Sequence, residues 1–484
     1  MHGFNSRGSA VPLGVYAPEG RFGRLLPQLD ARAPTGAALA AQMGAAGGCM
    51  DAGLEDGSRD SPALPAGITY LAQFLDHDLD FDPTSSLERQ SDPAALSNFR
   101  TPAFDLDNIY GAGPVVNPQL YDSGSAGTKL LVGDHDLARS AQGTALIGDP
   151  RNDENMLVAQ LQYAFVKCHN AIVDGLTAGT FDDVFGAPAK TNTTTEDLEN
   201  SVFLAAQQLF RWHYQWMIVH EFLPLICGVD IVEDVLRHGP RFFRPAREYQ
   251  PYIPVEFAVA AYRFGHATIR SSYVVNDTYT LNLFPTDPGA ATTPRTDLRG
   301  GMVTPAYAVD FSRFFDRNPA RPAQRAKRIE PQINTLLLDL PNSVLPAFVA
   351  APQRSLATRN LQRSEALMLP SGQDVARVLG TTRILGPADL RGVAAELGGA
   401  AIPLGDDQLR DVYLWYYLLA ESFSQYRGDR LGDTAARIVA ETFIGVLNGD
   451  ALSYRSMYPN WKPTLPSEIN GTFTIVDILN LAGV

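Results

Sequence analysis

The stretch LAQFLDHDLD, residues Leu71–Asp80, determines how this sequence is interpreted. Its apolar residues recur at helical spacing, while Gln73, Asp76 and His77 stand at positions i, i+3 and i+4. Side chains at these spacings share one face of an α-helix. An amide, a carboxyl group and an imidazole pack poorly against a core, so the pattern predicts one wall of a reactive pocket. Asp78 points about 100° away from His77, which indicates a second site served by the same helix.

Two further segments carry polar residues three positions apart. In GDPRNDEN, the spacing predicts that Arg151 and Glu154 lie on one helical face. In EFAVAAYRFGH, Arg263 and His266 stand at the end of an apolar run. Together with the first stretch, in this order, the segments resemble the animal-type haem peroxidases of the peroxidase–cyclooxygenase superfamily. The three segments are similar to the family's distal helix, catalytic-arginine segment and proximal segment.

The composition limits the compartment and the partners of the chain. A net charge of −14 over 484 residues disfavours nucleic acids and anionic membranes as partners. No apolar run is long enough for a membrane span, and the first residues lack a classical signal peptide, which predicts a cytoplasmic or non-classically secreted protein. The three cysteines, Cys49, Cys168 and Cys227, argue against a disulfide scaffold. Secreted animal members of the family are rich in disulfides, so the chain resembles a bacterial-style member.

Hydrophobic periodicity predicts a mainly α fold. No linker or repeat divides the chain, so we expect one haem peroxidase domain over residues 1–484, with residues 1–20 as a possible flexible segment. The resemblance implies helices and long ordered loops around a buried haem. The segments with a 3.6-residue period are Ile68–Asp80, Glu154–Asp174, Leu198–Ile226, Glu256–His266, Gln408–Ser424 and Thr434–Leu447.

The resemblance implies catalytic roles for three residues on the distal side. His77 would move a proton from one peroxide oxygen to the other, and an imidazole with a pKa near ~6.5 is suited to both steps. Arg151 would stabilise the charge that develops on the leaving oxygen. Gln73 would hydrogen-bond the distal water or an incoming halide.

Two acids stand where family members form ester bonds to haem methyl groups. These are Asp76 and Glu154. The family member with a third, sulfonium link has methionine directly after the glutamate, whereas this chain has Asn155 there. The resemblance therefore implies haem b with at most two ester links.

On the proximal side, the resemblance implies that His266 binds the haem iron. Its partner would be Asn360, in a segment RNLQR, whose carbonyl would accept the ring N–H without adding charge. Arg263 would pair with a haem propionate. Oxygenases of the superfamily carry a radical-forming tyrosine three residues before the proximal histidine. Here that position is Arg263 and Tyr262 is four before, so the resemblance to oxygenases is weaker.

The segment NFRTPAFDLDNIYG, residues 98–111, resembles the family's calcium loop. Oxygen-only ligands with several carboxylates are typical of Ca²⁺ rather than zinc sites. Asp107 stands where several family members have serine. A polar turn with side-chain capping is the alternative interpretation. The implied ligands are the side chains of Asp78, Thr101, Asp105 and Asp107 and the carbonyl of Ala103.

Three functional hypotheses follow. The first is a haem peroxidase that uses H₂O₂ to oxidise phenols, halides or thiocyanate. The second is a peroxidase-derived biosynthetic oxidase or dioxygenase that acts on a specific metabolite or fatty acid. The third is an adhesion protein, because Arg427-Gly428-Asp429 is the integrin-type tripeptide.

Overall fold

The computed structural model describes residues 20–32, 36–53, 57–80, 97–98, 102–188, 202–245, 251–285 and 294–484. Seventeen α-helices lie within these ranges, so the predicted mainly α class is confirmed. They are α1 (Ala37–Gly44), α2 (Gly67–Leu79), α3 (Asp107–Tyr110), α4 (Met156–Thr177), α5 (Val202–Met217), α6 (Leu223–Cys227), α7 (Val229–His238), α8 (Val255–Ala258), α9 (Ala351–Arg354), α10 (Leu356–Ala366), α11 (Gly372–Leu379), α12 (Pro387–Leu397), α13 (Asp406–Leu409), α14 (Leu414–Tyr426), α15 (Asp433–Asn448), α16 (Tyr454–Met457) and α17 (Ile475–Ala482).

The strands of the described ranges are short and pair in three small sheets. In the first, β1 (Gly20–Gly23) pairs antiparallel with β3 (Ser97–Asn98) and parallel with β4 (Ile253–Pro254). The other two are antiparallel pairs, β2 (Asp60–Pro65) with β7 (Arg325–Lys327) and β5 (Ser272–Val274) with β6 (Thr280–Asn282).

The core forms around α4, which is buried along most of its 22 residues. It packs against α2, α5 and α17. Because the helix is buried on nearly all sides, most of its residues between Leu157 and Val166 are apolar, and the exceptions are the buried amides Gln160 and Gln162. Within the described ranges, one cluster of buried apolar residues extends from Phe22 to Ala482. The assignment of a single domain to the whole chain stays a prediction.

Two predicted helices have the expected bounds and four do not. The helices α2 and α15 lie within one residue of their predicted limits. The segment predicted as Gln408–Ser424 divides into α13 and α14, because the main chain at Val412 and Tyr413 pairs with Ser371 and Gly372 instead. The helix predicted over Leu198–Ile226 contains a π-helical turn, Ile218–Phe222, between α5 and α6, and residues 198–201 lie outside the described ranges.

The two remaining corrections concern the segments that carry Arg151 and His266. The helix predicted from Glu154 begins at Met156, because the Asn155 side chain caps it by accepting from the Leu157 N–H at 2.8 Å. The helix predicted over Glu256–His266 consists of α8 and a separate 3-10 helix, Ala261–His266. Between them, the Ala258 carbonyl accepts from the Arg263 guanidinium at 2.8 Å.

No helix of the described ranges combines the length and the apolar character that crossing a bilayer requires.

Candidate functional site

A cavity of about 780 Å³ is lined by α2 on one side and by the 3-10 helix Ala261–His266 on another. This volume lies in the range of sites that bury a small organic ligand. Its apolar walls come from distant parts of the chain, and they include Ile269, Leu283, Phe284, Leu337, Leu340, Val344 and Leu356.

The polar face predicted for α2 lies on the cavity. Gln73, Asp76 and His77 all line it, and only 6% of the His77 surface is exposed. Asp78 is fully buried on another side of the helix, as the 100° rotation between neighbouring helical residues requires.

Two hydrogen bonds join the walls of the cavity. The Tyr262 hydroxyl donates to the Ala72 carbonyl at 3.1 Å, and the hydroxyl oxygens of Thr69 and Thr268 lie 2.8 Å apart. Each bond links α2 to the segment that carries His266. The separation of the two walls is therefore fixed by side chains at the edge of the cavity.

The prediction that Arg151 and Glu154 share one face of a continuous helix is wrong, although Arg151 remains close enough to oppose the increase that burial causes in the pKa of Glu154. Arg151 lies in the 3-10 helix Pro150–Asp153, which ends before Glu154. Glu154 lines the cavity, whereas the described lining does not include Arg151. The Arg151 Nη2 instead donates to the carbonyls of Asp80 at 2.6 Å and His77 at 3.2 Å. It also pairs with buried Asp149 at 2.7 Å, so its charge is held against the end of α2.

The acids at the end of α2 are partly buried beside guanidinium groups. Burial raises the pKa of Asp76, and Arg263 and Arg151 oppose this increase. Burial and the neighbouring charge of Asp76 raise the pKa of Asp80 to about 7, with Arg151 again opposing. Burial also raises the pKa of Glu154. Removal from water disfavours the charged form of a carboxyl group, so these acids depend on the nearby cations to ionise.

The Nδ1 atom of His77 contacts the first of a series of hydrogen-bonded, buried amides. Its Nδ1 lies 2.6 Å from the Oδ1 of Asn152. The Asn152 Nδ2 donates to the Gln162 Oε1 at 2.7 Å, and the Gln162 Nε2 donates to the main-chain carbonyl of Asn108 at 3.2 Å. The side chains of Asn152, Gln162 and Asn108 are all fully buried.

On the opposite wall, Arg263 and His266 line the cavity from one 3-10 helix. Residues three apart eclipse one another in such a helix, which places both on the same side. Burial, reinforced by Arg263 and Arg363, lowers the pKa of His266 to about 3. The imidazole is therefore neutral near pH 7, and a neutral imidazole is the form that binds metals.

Asn360 lies behind His266, as expected, with its Nδ2 at 2.9 Å from the ring Nδ1. In this orientation the amide donates and the ring accepts. Binding of a metal through Nε2 requires the proton on Nδ1 and therefore a 180° rotation of the amide, after which its carbonyl accepts. The indole of Trp415 also supports this wall, because its Nε1 donates to the Arg263 carbonyl at 3.3 Å and its ring meets the His266 ring edge-on.

The acids expected to hold a cation converge on one buried point. Carboxylate oxygens of Asp78, Asp105 and Asp107 lie within 4.8 Å of one another, and all three residues are buried. The Tyr214 hydroxyl donates to the Asp78 Oδ2 at 3.1 Å and connects the cluster to α5. Ala103 is buried in the same loop, whereas Thr101 lies outside the described residues.

The loop that carries these acids is tightly constrained. Leu106, between Asp105 and Asp107, has a left-handed backbone with φ 61°, which costs a residue with a side chain roughly 1–2 kcal/mol. Its N–H donates to the Asp78 Oδ2 at 3.2 Å. A Cβ at Gly148 would lie 2.4 Å from the Asp107 carbonyl. Only glycine therefore permits the close approach of the Arg151 segment to this loop.

The tripeptide Arg427-Gly428-Asp429 is engaged in the fold. Arg427 pairs with Glu396, and the Gly428 carbonyl accepts from the Ile329 N–H at 2.8 Å. Asp429 accepts from the Ser61 hydroxyl at 3.0 Å. Adhesive recognition would require the arginine and aspartate side chains to be available, and both already bind other residues of the chain.

Four of the residues that build this site are not among those predicted from the sequence. Asn152 and Gln162 support His77, Tyr214 contacts the acidic cluster, and Trp415 supports the proximal wall. Asn152 directly follows Arg151, which is a usable signal. The others lie in apolar helical patterns, where a buried polar or aromatic residue looks like ordinary core.

Comparisons with known proteins agree with this geometry. A sequence model described as animal haem peroxidase matches residues 78–479, which is most of the chain. Thyroid peroxidase of Homo sapiens is 24% identical over 397 residues. The match covers 74% of this chain and 38% of the human protein, so the chain spans about two-fifths of the length of that relative.

Solved structures share the fold at low sequence identity. Peroxidase A from Dictyostelium discoideum superposes with a TM-score of 0.59 at 16% identity, over 96% of this chain and 93% of that one. A variant of Oryza sativa fatty acid alpha-dioxygenase with palmitic acid gives a TM-score of 0.55 at 16% identity, over 88% and 73%. An Arabidopsis thaliana fatty acid alpha-dioxygenase gives 0.55 at 14% identity, over 96% and 76%. The family match covers far more than half of the sequence, and this chain belongs to the animal haem peroxidase family.

Proposed function

We propose that this protein is a haem peroxidase, which uses H₂O₂ to oxidise small organic donors such as phenols, or halides or thiocyanate. One observation carries the proposal. A single cavity presents His77 from α2 and, from another wall, His266 backed by Asn360. Family membership implies the haem, and the presence of two histidines on separate walls of one cavity supports the proposal.

The residues that line the cavity fit a haem group. Apolar side chains suit the faces of a porphyrin, and a neutral imidazole suits its iron. The guanidinium groups of Arg263 and Arg359 line the same cavity and are suited to carboxylate side groups. We propose that His266 binds the iron and that Arg263 pairs with a propionate. When bound, the haem supplies the oxidising chemistry of the reaction.

We propose three roles on the distal side. His77 takes a proton from one peroxide oxygen and delivers it to the other. Gln73, on the same face of α2, hydrogen-bonds the water or small anion that enters. Arg151 supplies positive charge, and its bonds to the His77 and Asp80 carbonyls keep that charge at the end of α2.

An assay of purified, haem-loaded protein tests the proposed activity. Oxidation of a phenol that requires H₂O₂, the protein and the haem together would support it. Bromide, iodide and thiocyanate serve as anionic donors in parallel, and we expect each to be oxidised faster than chloride. No peroxide-dependent oxidation of any of these donors would refute the proposal.

We propose that Asp78, Asp105 and Asp107 hold a calcium ion, together with Thr101 and the Ala103 carbonyl. Three buried carboxylates this close repel one another strongly unless a cation neutralises them. Oxygen ligands with several carboxylates favour Ca²⁺. The ion would fix Asp78, which lies in the C-terminal turn of α2 and directly follows His77.

We expect removal of calcium by a chelator to lower peroxidase activity and the melting temperature while the haem stays bound. Without the ion, repulsion between the carboxylates frees the end of α2 and therefore the orientation of His77. The measurement is metal content, Soret absorbance and activity of the same sample before and after chelation.

Two variants sharpen the calcium test. Asp105→Asn should lose calcium. Asp477→Asn should retain it, because Asp477 is a buried carboxylate that caps α17 and lies outside the cluster. Active enzyme that contains no tightly bound calcium would reject the site.

We also propose that the haem becomes ester-linked through Asp76, Glu154 or both. Both side chains line the cavity, and Asn155 cannot form the sulfonium link. Ester formation is itself an oxidation, so we expect it to follow turnover with H₂O₂.

After peroxide treatment, intact mass should increase by about the mass of haem, and acid–acetone should fail to extract the chromophore. The double variant Asp76→Asn/Glu154→Gln should release all of its haem under the same treatment. Complete extraction of unmodified haem from the peroxide-treated wild type would contradict the ester proposal.

The two alternative hypotheses rank lower. Arg263 stands three residues before His266 where the superfamily's oxygenases have tyrosine, and the Tyr262 hydroxyl is engaged with the Ala72 carbonyl. The dioxygenase structures share the fold with this chain, which leaves a biosynthetic oxidase or dioxygenase as the second candidate. Adhesion through Arg427-Gly428-Asp429 has no support from the contacts of that tripeptide.

A further inference from the structure

The side-chain amides of Asn152 and Gln162 link His77 to the main-chain carbonyl of Asn108. This carbonyl determines how both amides are oriented. The main-chain carbonyl of Asn108 can only accept a hydrogen bond. Because Gln162 lies 3.2 Å from it through Nε2, the amide of Gln162 must donate there. Its Oε1 must then face Asn152, at 2.7 Å from Nδ2.

The orientation of Gln162 determines that of Asn152, and Asn152 in turn determines which nitrogen of the His77 ring carries the proton. With its Nδ2 donating to Gln162, Asn152 presents Oδ1 to His77 at 2.6 Å. A carboxamide oxygen can only accept, so the Nδ1 of His77 must carry a proton. In a neutral imidazole the other nitrogen, Nε2, then has a lone pair. His77 lines the cavity and Asn152 does not belong to its described lining, so we infer that Nε2 is on the cavity side of the ring.

We propose that Asn152 and Gln162 are positioning residues that hold His77 in the Nδ1–H form, with the basic Nε2 directed at the incoming peroxide. This inference rests on the proposed peroxidase function. The proton of the peroxide moves to Nε2 while Nδ1 keeps its own proton, which makes a cationic imidazolium and a peroxide anion. When the O–O bond breaks, this proton passes to the oxygen that leaves as water and the ring becomes neutral again, and the bound haem would supply the two electrons that the cleavage requires.

The amides of Asn152 and Gln162 also connect the His77 imidazole to the acidic cluster. The last acceptor in this series of hydrogen bonds is Asn108, which directly follows Asp107 and lies within α3. The Asn108 carbonyl also accepts from the Asp149 N–H at 3.1 Å, and Asp149 holds Arg151. One main-chain carbonyl therefore orients the supports of both His77 and Arg151.

A purely packing role for these amides is the alternative, and two ligands separate it from the proposal. Hydrogen cyanide must lose a proton to a base when it binds to ferric haem, as peroxide must. Carbon monoxide binds to ferrous haem without any proton transfer. Loss of the Nε2 base slows only the first kind of reaction, whereas damaged packing or a blocked cavity alters both.

The test measures these rates by stopped flow in haem-loaded wild type, Asn152→Leu and Gln162→Met. Both substitutions keep approximate side-chain volume and remove the hydrogen bonds. We expect both variants to react with peroxide and cyanide at least about tenfold more slowly than wild type. This is a fraction of the effect of losing the base altogether. The rate of carbon monoxide binding should stay within about twofold of the wild-type rate.

Two further variants serve as rescue and control. In the variant Gln162→Glu, a neutral carboxyl group offers one donor and one acceptor in place of the amide. We expect this variant to recover most of the peroxide and cyanide rates that Gln162→Met loses. Gln373→Met removes a buried glutamine that is paired at both ends in α11, away from the cavity, and should leave all three rates unchanged.

Each other outcome contradicts the proposal. Peroxide and cyanide rates within about twofold of wild type in both variants would show that the amides do not set the tautomer. A parallel fall in all three rates, with no recovery in Gln162→Glu, would assign them to packing alone. A haem-loaded wild type that does not react with peroxide would refute the proposed function itself, which this series detects before any variant is compared.

Discussion

His77→Ala is expected to slow the peroxide-induced change of the Soret band by roughly 10²–10⁴-fold, the usual effect of losing general acid–base catalysis. Haem binding should persist, because His266 lies on the other wall of the cavity. The Ala side chain leaves Asn152 and Gln162 in place, so the loss reports on the imidazole itself. Stopped-flow absorbance at several peroxide concentrations gives the second-order rate constant.

A matched control for this variant is His238→Ala. His238 is exposed at the end of α7, where it pairs with Asp234. Its removal should leave the rate constant unchanged. A rate constant for His77→Ala within about twofold of wild type would remove His77 from the mechanism.

The second large effect is expected for His266→Gly, which should lose most of its haem. This substitution removes the proposed bond to iron, and the apolar walls and Arg263 would retain only weaker contacts with the ring. Added imidazole should restore the Soret band, because it occupies the space of the missing side chain. Haem content per chain and the ferric spectrum, with and without imidazole, are the measurements.

Asn360→Leu provides a graded control for the proximal wall. It keeps the iron ligand but removes the partner at Nδ1, so we expect retained haem and a shifted reduction potential. An unaltered ferric spectrum in His266→Gly would show that another residue is the axial ligand. Loss of folding is monitored separately by circular dichroism.

The sequence predicted the distal wall because its information is local. In α2, the spacing of Gln73, Asp76 and His77 determines a shared face as soon as the segment is helical. The buried Asp78 on another side follows from the same geometry. The acidic cluster was expected from the resemblance, and the structure brings Asp78 to Asp105 and Asp107.

The placement of Arg151 and the amide chain could not be predicted in the same way. A spacing of three residues predicts a common face only within a continuous helix, and the 3-10 helix that carries Arg151 ends at Asp153, before Glu154. The partners of His77 are far away in the sequence, with Asn152 75 positions later. Buried amides such as Gln162 also leave no trace in hydrophobic periodicity, because they lie among apolar neighbours and are recognised only by their contacts.

The absorption spectrum of the purified, haem-loaded protein tests the central claim most directly. We expect a ferric Soret band that changes within seconds of adding H₂O₂ and returns when a phenol or bromide is added, because we propose that haem binds in the cavity that His77 and His266 line. A protein that binds no haem, or whose Soret band is bleached by H₂O₂ without recovery by any donor, would contradict it.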